Sequence, residues 1–206
     1  KVVAAAGVSR EKLEHIQNRM RQARESGAAA PTAARVEAPA YRTTDQLIAI
    51  GSSTGGLDAI RDVLVGLPVD TPGIVITQHI PGTFSRSFAE RMDRMLPLKV
   101  EEATENAPIT TGRVYIAPGD RHLRVARSGA KYVCRLSDEP PVNRHRPSVE
   151  VLFDSVTQAA GKNALAIMLT GMGKDGAEAM LRLCQAGADT IAQDEATSVV
   201  WGMPGV

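Results

Sequence analysis

Apolar positions after residue 45 follow two different periods in turn, and that alternation predicts strands separated by helices. Unbroken apolar runs occur at 47–50, 73–77 and 164–169, as in strands that are covered on both faces. Between the first two runs, apolar residues recur at three- and four-residue spacing, which predicts an amphipathic helix. The complete prediction has helices at about 55–67 and 83–96, from Ser148, and up to Gly187, with further strands at 113–117 and 190–192 and a hairpin at 123–136.

This order of elements predicts an α/β fold. The expected architecture is a doubly wound, mostly parallel Rossmann-like sheet with right-handed crossovers, interrupted by an antiparallel hairpin. In such sheets ligands bind at the carboxyl edge, where the winding changes direction. Ser53, His79 and Asp175 each follow one of the buried strands. We therefore expect these three side chains to meet at that edge.

Residues 1–45 differ in kind from the rest of the chain. A thin apolar stripe in a polar segment is followed by an Ala-rich stretch with Pro31 and Pro39, a composition that buries little surface. We interpret this region as an interdomain linker that is partly helical or disordered, and residues 46–206 as the folded domain. The start at Lys1 and the ending GMPGV suggest a fragment with a truncated C-terminal end.

Composition narrows the compartment and the partners. The formal net charge of +1 is too small to attract nucleic acid by electrostatics, so we predict no nucleic-acid partner. The sequence has no long apolar segment, so we predict no insertion into a membrane. Without a secretory signal, the cytoplasm is the simplest location. Cys134 and Cys184 lack metal-ligand spacing, so we expect two buried thiols and predict no metal or cofactor.

The turn GSSTGG after the first strand carries the candidate chemistry. It fits G-x-S-x-G with Ser53 at the centre, a pattern that can expose a serine nucleophile on a strand-to-helix bend. Small glycine-rich turns also bind phosphate at a helix N-terminus or simply cap the helix. Ser52 leaves a second hydroxyl nearby, although the central position of the motif favours Ser53.

Ser53, His79 and Asp175 together supply the parts of a hydrolytic triad. A serine needs a base, and an imidazole needs a carboxylate on its other nitrogen to fix its tautomer. The chain order differs from that of α/β-hydrolases, so the motif does not place the chain in that fold. Amides near Thr54 and in the glycine-rich loop at 171–173 could stabilise an oxyanion.

Each member of this set has a simpler interpretation. Asp175 could cap its own helix, because Glu178 lies three residues later, and His79 could serve only as a buried hydrogen-bond partner. His122 and His145 are rival bases. The position of His145 between two arginines disfavours added positive charge and suits substrate recognition better.

Six segments in this order resemble the catalytic domain of the chemotaxis protein-glutamate methylesterases, the CheB family. They are LIAIGSSTGG, VITQHIPGTFSRSFAERM, VYIAPGDRHL, RPSVEVLFDSV, LTGMGKDGAEAM and AQDEATSVVWGMP, and they cover nearly all of residues 46–206. The resemblance implies a triad of Ser53, His79 and Asp175. It also implies that the backbone amide of Met172 contributes to the oxyanion site.

The same resemblance implies a function and a set of partners. The reaction would be hydrolysis of γ-glutamyl methyl esters on the cytoplasmic domains of methyl-accepting chemoreceptors, with deamidation of receptor glutamines as a second activity. The implied regulators are an N-terminal receiver domain, of which this sequence holds at most the final helix, and its histidine kinase. Arg86, Arg144 and Arg146 are candidates for binding an acidic receptor surface.

Two other functions stay open at this level. A nucleotide- or phosphate-binding α/β module would use the Ser53 turn as an anion site, although the turn lacks the lysine of a P-loop. A non-catalytic docking domain would leave His79 and Asp175 far apart. The distance from the Ser53 hydroxyl to a nitrogen of His79 bears on the choice, with allowance for loose geometry in an unliganded site.

Overall fold

A computed structural model describes residues 46–206 of the protein, so the predicted linker at 1–45 lies outside the described residues and stays a prediction. The helices and strands follow the alternation that the sequence predicts. In chain order they are β1 (Leu47–Ser52), α1 (Gly56–Val65), β2 (Gly73–Gln78), α2 (Gly82–Met95), β3 (Lys99–Glu102), β4 (Arg113–Ile116), β5 (His122–Ser128), β6 (Lys131–Ser137), α3 (Val149–Ala159), β7 (Ala164–Met168), α4 (Ala177–Gln185) and β8 (Asp189–Ala192).

The main sheet has six parallel strands in the order β3-β4-β2-β1-β7-β8, and β5 and β6 form a separate antiparallel pair. From β1 the chain forms β2 beside it, then the edge strand β3, and then β4 between β2 and β3, before it returns to place β7 on the other side of β1. The winding therefore changes direction beside β1. This arrangement confirms the predicted doubly wound sheet with an antiparallel hairpin.

Strand β3 is the one strand of the described region that the sequence prediction lacks. Of its four residues only Val100 is apolar and buried, because β3 lies at the edge of the sheet. The carboxylate of Asp93 accepts a hydrogen bond from the Val100 amide at 2.9 Å. That contact occupies a backbone donor that an edge strand would otherwise leave exposed to pairing with another chain.

Side chains alternate between the two faces of the sheet and create two hydrophobic layers. On one face, Ala49 and Val75 pack under α3, α4 and the hairpin; on the other, Ile50 and Ile76 pack under α1 and α2. The central strands are thus buried on both sides, which explains their unbroken apolar sequences. The main helical contributors are Leu152, Phe153, Val156 and Leu183 to the first layer, and Ile60, Leu64, Phe88 and Met92 to the second.

The hairpin is fastened to α3 through Ser155. The amide of Val125 donates to Ser155 Oγ at 2.9 Å, and that hydroxyl donates to the carbonyl of Leu152 at 2.7 Å. The loop that follows β6 returns from the hairpin to the carboxyl edge of the sheet before α3 begins. The hairpin therefore positions a loop that the main sheet alone could not place there.

The two cysteines are free, but only one has the predicted environment. Cys134 is buried, and burial raises the pKa of its thiol to about 12. The expectation for Cys184 is wrong, because this side chain is exposed on α4. Among the helices of residues 46–206, none combines the length and apolar character needed to cross a bilayer.

We predict that Ser155→Ala destabilises the fold by about 1–3 kcal/mol, because the buried Val125 amide loses its acceptor. Urea unfolding would measure the change. Thr157→Val is the matched control, since the Thr157 hydroxyl bonds only within α3, to the carbonyl of Phe153. Equal losses in the two variants would contradict the assigned role of Ser155.

Candidate active site

The three residues predicted to meet lie at the carboxyl edge of the sheet. Ser53 directly follows β1, His79 directly follows β2, and Asp175 lies in the loop between β7 and α4. Strand β1 is central, and β2 and β7 are its two neighbours. The candidate site therefore occupies the place where the winding changes direction, as expected for a doubly wound sheet.

His79 and Asp175 form a buried pair. His79 Nε2 lies 2.8 Å from Asp175 Oδ2, and their side chains are 9% and 1% exposed. A carboxylate can only accept, so this hydrogen bond places the proton on Nε2 and leaves Nδ1 as the basic nitrogen. A non-catalytic docking domain would have been favoured by a large distance between His79 and Asp175. The observed distance is short and does not favour that interpretation.

The Asp175 carboxylate is held at the N-terminus of α3. It accepts hydrogen bonds from Asn143 Nδ2 at 2.9 Å, from Ser148 Oγ at 2.8 Å and from the Val149 amide at 2.7 Å. Its own helix, α4, has Gly176 as N-cap, and the amide of that glycine donates to Glu150 Oε2 at 3.1 Å. Asp175 thus caps a helix, as one interpretation predicted, but the helix is α3 and not α4.

These contacts determine the charge of Asp175. Burial, the largest influence, raises its pKa, but the hydrogen bonds from His79, Asn143, Ser148 and Val149 together outweigh burial and leave the pKa below its usual value. The dipole of α3 favours the same ionised form. Asp175 is consequently a carboxylate at neutral pH and can stabilise a protonated imidazole.

The other nitrogen of His79 is available. Nδ1 is buried and has no hydrogen-bond partner within the described residues, so the Ser53 hydroxyl does not donate to it in this state. Catalytic hydrogen bonds are often long in unliganded sites and shorten when substrate binds. The state of His79 Nδ1 is therefore compatible with a general base that accepts the Ser53 hydroxyl proton once substrate is bound.

His145 covers one face of His79. The two rings stack with centroids 3.6 Å apart and planes 9° from parallel. Burial, and next the neighbouring His79, lower the pKa of His145. The ring is therefore mainly neutral near pH 7 and packs on His79 without competing for its proton.

His122, the other rival base, has a structural role. It is fully buried; Nδ1 accepts the Ser148 amide at 3.2 Å, and Nε2 lies 3.1 Å from the carbonyl of Pro140. Both nitrogens are used, so His122 has none for substrate. It supports the loop residue that donates to Asp175.

The two serines of the turn have different environments. Ser52 is fully buried, and its hydroxyl donates to Gln78 Oε1 at 2.7 Å. Ser53 is partly exposed; its amide donates to the carbonyl of Thr170 at 3.0 Å, and its carbonyl accepts the Gly56 amide at 2.8 Å. The backbone of Ser53 is thus fixed on both sides, and its hydroxyl is the one a substrate could reach.

The glycine-rich loop after β7 packs directly against Ser53. A Cβ at Gly171 would lie 2.8 Å from Ser53 Cβ and 2.3 Å from Met203 Sδ, so this close approach requires glycine. Thr170 Oγ1 donates to the carbonyl of Thr54 at 2.9 Å and joins the loop to the turn. The amides of Thr54 and Met172 donate no hydrogen bond within residues 46–206, which leaves both for a ligand.

The three candidate substrate-binding arginines differ in their contacts. Arg86 reaches Glu102 at 3.4 Å, whereas Arg146 donates to the carbonyls of Asp138 and Glu139 at 2.9 and 3.2 Å. Arg144 is exposed in the tight turn beside His145. Their role in binding stays a prediction.

No group of three or more His, Cys, Asp or Glu side chains in the described part of the chain is arranged to hold a metal ion.

Sequence reasoning did not identify Asn143, Ser148 or Gln78. Asn143 and Arg144 have φ values of 51° and 70°, and Val142 and His145 exchange backbone hydrogen bonds across them. Asparagine is common at the first position of such a two-residue turn, but glycine is usual at the second. Because Arg144 occupies that second position, the sequence does not indicate the turn. The serine before α3 is a recognisable cap signal, yet the capping group turns out to be Asp175.

We predict a specific acid dependence of stability from Asp175. Because its pKa is lower in the folded state, its stabilisation is full above the unfolded pKa of about 4 and is lost as pH falls through the folded pKa. Asp175→Asn should therefore show a smaller loss of unfolding free energy than wild type between about pH 5 and 2. Asp70→Asn, at an exposed position, is the control and should retain the wild-type slope.

Comparison with known proteins relates this arrangement to a group of enzymes. A protein-glutamate methylesterase/protein-glutamine glutaminase of Hahella chejuensis is 66% identical over 205 of the 206 residues of this chain, which cover 56% of that protein. A protein of the same name from Xanthomonas euvesicatoria is 56% identical over 165 residues, covering 80% of this chain and 46% of the relative. The chain thus spans about half the length of the curated relatives it matches.

A solved structure agrees with the described fold. The crystal structure of the Thermotoga maritima CheB methylesterase catalytic domain aligns with a TM-score of 0.75 and 37% identity, covering 78% of this chain and 85% of that one. The family model described as CheB methylesterase matches residues 48–206. Since that match includes well over half of the sequence, the chain belongs to the CheB methylesterase family.

Proposed function

We propose that the protein is a serine-type protein-glutamate methylesterase. The observation that carries the proposal is the buried His79–Asp175 pair at the strand end next to the Ser53 turn, because the remaining imidazole nitrogen has no hydrogen-bond partner among residues 46–206. The fold and the membership of the CheB family support the same reaction, and the relatives' names specify glutamyl methyl esters.

The proposed reaction has two halves. In the first, Ser53 Oγ attacks the ester carbonyl while His79 Nδ1 takes the hydroxyl proton, and the same proton then leaves with the alkoxide as methanol. In the second, water adds to the glutamyl-enzyme with His79 again as base, and the products are a free glutamate side chain and the regenerated serine. The amides of Met172 and Thr54 would bind the carbonyl oxygen as it becomes negative.

Asp175 would keep His79 in the required tautomer and stabilise its charged form. The position of Asp175 at the start of α3 keeps its carboxylate ionised. The carboxylate therefore accepts a hydrogen bond from His79 Nε2–H, and the proton stays on the imidazole. Removing the carboxylate of a comparable triad lowers turnover by about 10⁴-fold. The contacts of Asp175 therefore support the proposed reaction through His79 and not through the substrate.

The proposed substrates are glutamyl methyl esters on the cytoplasmic domains of methyl-accepting chemoreceptors, with the reaction in the cytoplasm. The names of the relatives include glutaminase, which supports deamidation at the same serine, with ammonia as the leaving group in place of methanol. The family resemblance supports control by an N-terminal receiver domain and its histidine kinase.

The phosphate-binding alternative has less support from the geometry. An anion site at the start of α1 would draw on the amides of the Ser53 turn. The Ser53 amide already donates to the carbonyl of Thr170, and the Gly56 amide donates to the carbonyl of Ser53. Two of the donors that such a site needs are therefore already used.

We expect Ser53→Ala to abolish methanol release from a methylated receptor fragment, with a fall of at least about 10³-fold, because the neighbouring Ser52 hydroxyl is buried and donates to Gln78 and so cannot take over the attack. Released methanol would be the measured product. Ser87→Ala, which removes an exposed hydroxyl on α2, should keep wild-type activity. Residual activity in Ser53→Ala near that of the control would contradict the proposed nucleophile.

We further expect His145→Ala to lower kcat/KM about tenfold, which corresponds to the loss of one ring stack of about 1.4 kcal/mol. His145→Phe should retain most of the activity, because a phenyl ring can still cover His79 without a titratable group. Initial rates of the two variants between about pH 5 and 8, the range over which imidazoles titrate, would test this. Equal losses in both would show that the His145 imidazole itself takes part.

A further inference from the structure

One buried amide links the two strand ends that carry the candidate nucleophile and base. Gln78 is the last residue of β2 and is 4% exposed. Its Nε2 donates to the carbonyl of Ser53 at 2.9 Å and to the carbonyl of His79 at 3.1 Å, and its Oε1 accepts the Ser52 hydroxyl at 2.7 Å. All three contacts fall within the residues that flank the site.

The chemistry of these partners determines how the amide is oriented. Two carbonyl oxygens can only accept, so the group facing them must be the NH2, which has one hydrogen for each. The oxygen then faces Ser52, whose hydroxyl has a proton to give. Ser52 therefore keeps Gln78 in the one orientation that bonds to both Ser53 and His79.

The amide acts where the backbone pairing of β1 and β2 ends. Ser52 and Gln78 are the last paired residues, and the His79 amide makes the final backbone bond, to the carbonyl of Ser52 at 3.2 Å. Beyond that point, within the part of the chain described, Gln78 is the one side chain that hydrogen-bonds to the backbone of both Ser53 and His79. The side-chain amide of Gln78 thus continues the hydrogen bonding between the two chain segments for one residue beyond the ends of β1 and β2.

The start of α1 leaves space for this arrangement. A Cβ at Gly56 would lie 2.1 Å from Gln78 Oε1 and 2.7 Å from Ser52 Cβ. Any larger residue would displace the amide from its partners. The bend of the chain uses Gly55, whose φ is 81°, whereas Gly56 is required by its contact with Gln78 and Ser52.

We propose that Gln78 is a positioning residue that sets the distance between Ser53 and His79, and that Ser52 orients it. The inference rests on the proposed esterase function. Gln78 is not assigned a contact with substrate or with the reacting atoms; it acts through the carbonyls of the two residues that have them. Ser52 is too buried to act as a nucleophile, and in this proposal its role is to orient the Gln78 amide.

The direct test is Gln78→Met, which keeps a similar shape and removes all three hydrogen bonds. Misplacing reacting groups by about 1 Å can cost about 10²-fold, so kcat should fall about 10–100-fold while KM changes by less than about twofold. Ser52→Ala should lower kcat less, by about three- to tenfold, because the amide keeps its donors but loses its orienting partner.

A structural loss must be separated from a loss of positioning. Thr71→Val is the matched control: its buried hydroxyl donates to the carbonyl of Pro68 at 2.6 Å, before β2 begins and at the opposite edge of the sheet. It should lower the melting temperature as Gln78→Met does and leave kcat unchanged. Comparable kcat losses in the two variants, or wild-type kcat in Gln78→Met, would overturn the proposal.

A second readout separates this inference from the function on which it rests. The rate at which a small fluorophosphonate labels Ser53 reports the reactivity of the serine without any protein substrate. It should fall in Gln78→Met in proportion to kcat, with Thr71→Val unchanged. If wild type releases no methanol, the proposed function fails, and the labelling rates still decide the role of Gln78. If Gln78→Met does not fold, Ser52→Ala carries the same comparison, and an unchanged labelling rate there would contradict the proposal.

Discussion

The Asp175 carboxylate at the N-terminus of α3 is the interaction on which the site depends. A buried charge is costly unless hydrogen bonds compensate it, and here the donors come from His79, Asn143, Ser148 and the first amide of α3. Those donors belong to the residue after β2 and to the continuous stretch 143–149, which runs from the loop after the hairpin into α3. Together with its own loop after β7, the Asp175 carboxylate therefore holds three segments that are distant in sequence.

The opposite side of the site is organised by neutral groups. Thr170 fixes the amide of Ser53, and Gln78 connects Ser53 to His79. No net charge is needed there because the Ser53 hydroxyl is neutral until it reacts. The site thus combines one charged group that holds His79, the proposed base, with neutral hydrogen-bonding groups that hold Ser53, the proposed nucleophile, and His79 contacts both sets.

Sequence patterns predicted the elements that bury apolar residues and the chemistry at their ends. The unbroken runs of β1, β2 and β7 were sufficient to place Ser53, His79 and Asp175 at one edge. Strand β3 was missed because an edge strand with one buried side chain has no apolar run. Gln78 was missed because a glutamine has no signature until its carbonyl partners are known, and Asn143 because its contact with Asp175 spans 32 residues.

The separate hairpin has a consequence for how such a site can change. β5 and β6 lie outside the main sheet, yet the loop they support brings Asn143 to Asp175 and His145 to the imidazole of His79. The strand ends that carry Ser53 and His79 do not depend on that loop for their pairing. Substitutions in residues 138–147 could therefore change one wall of the site while the sheet keeps its register, so that the shape of the site can vary without moving Ser53.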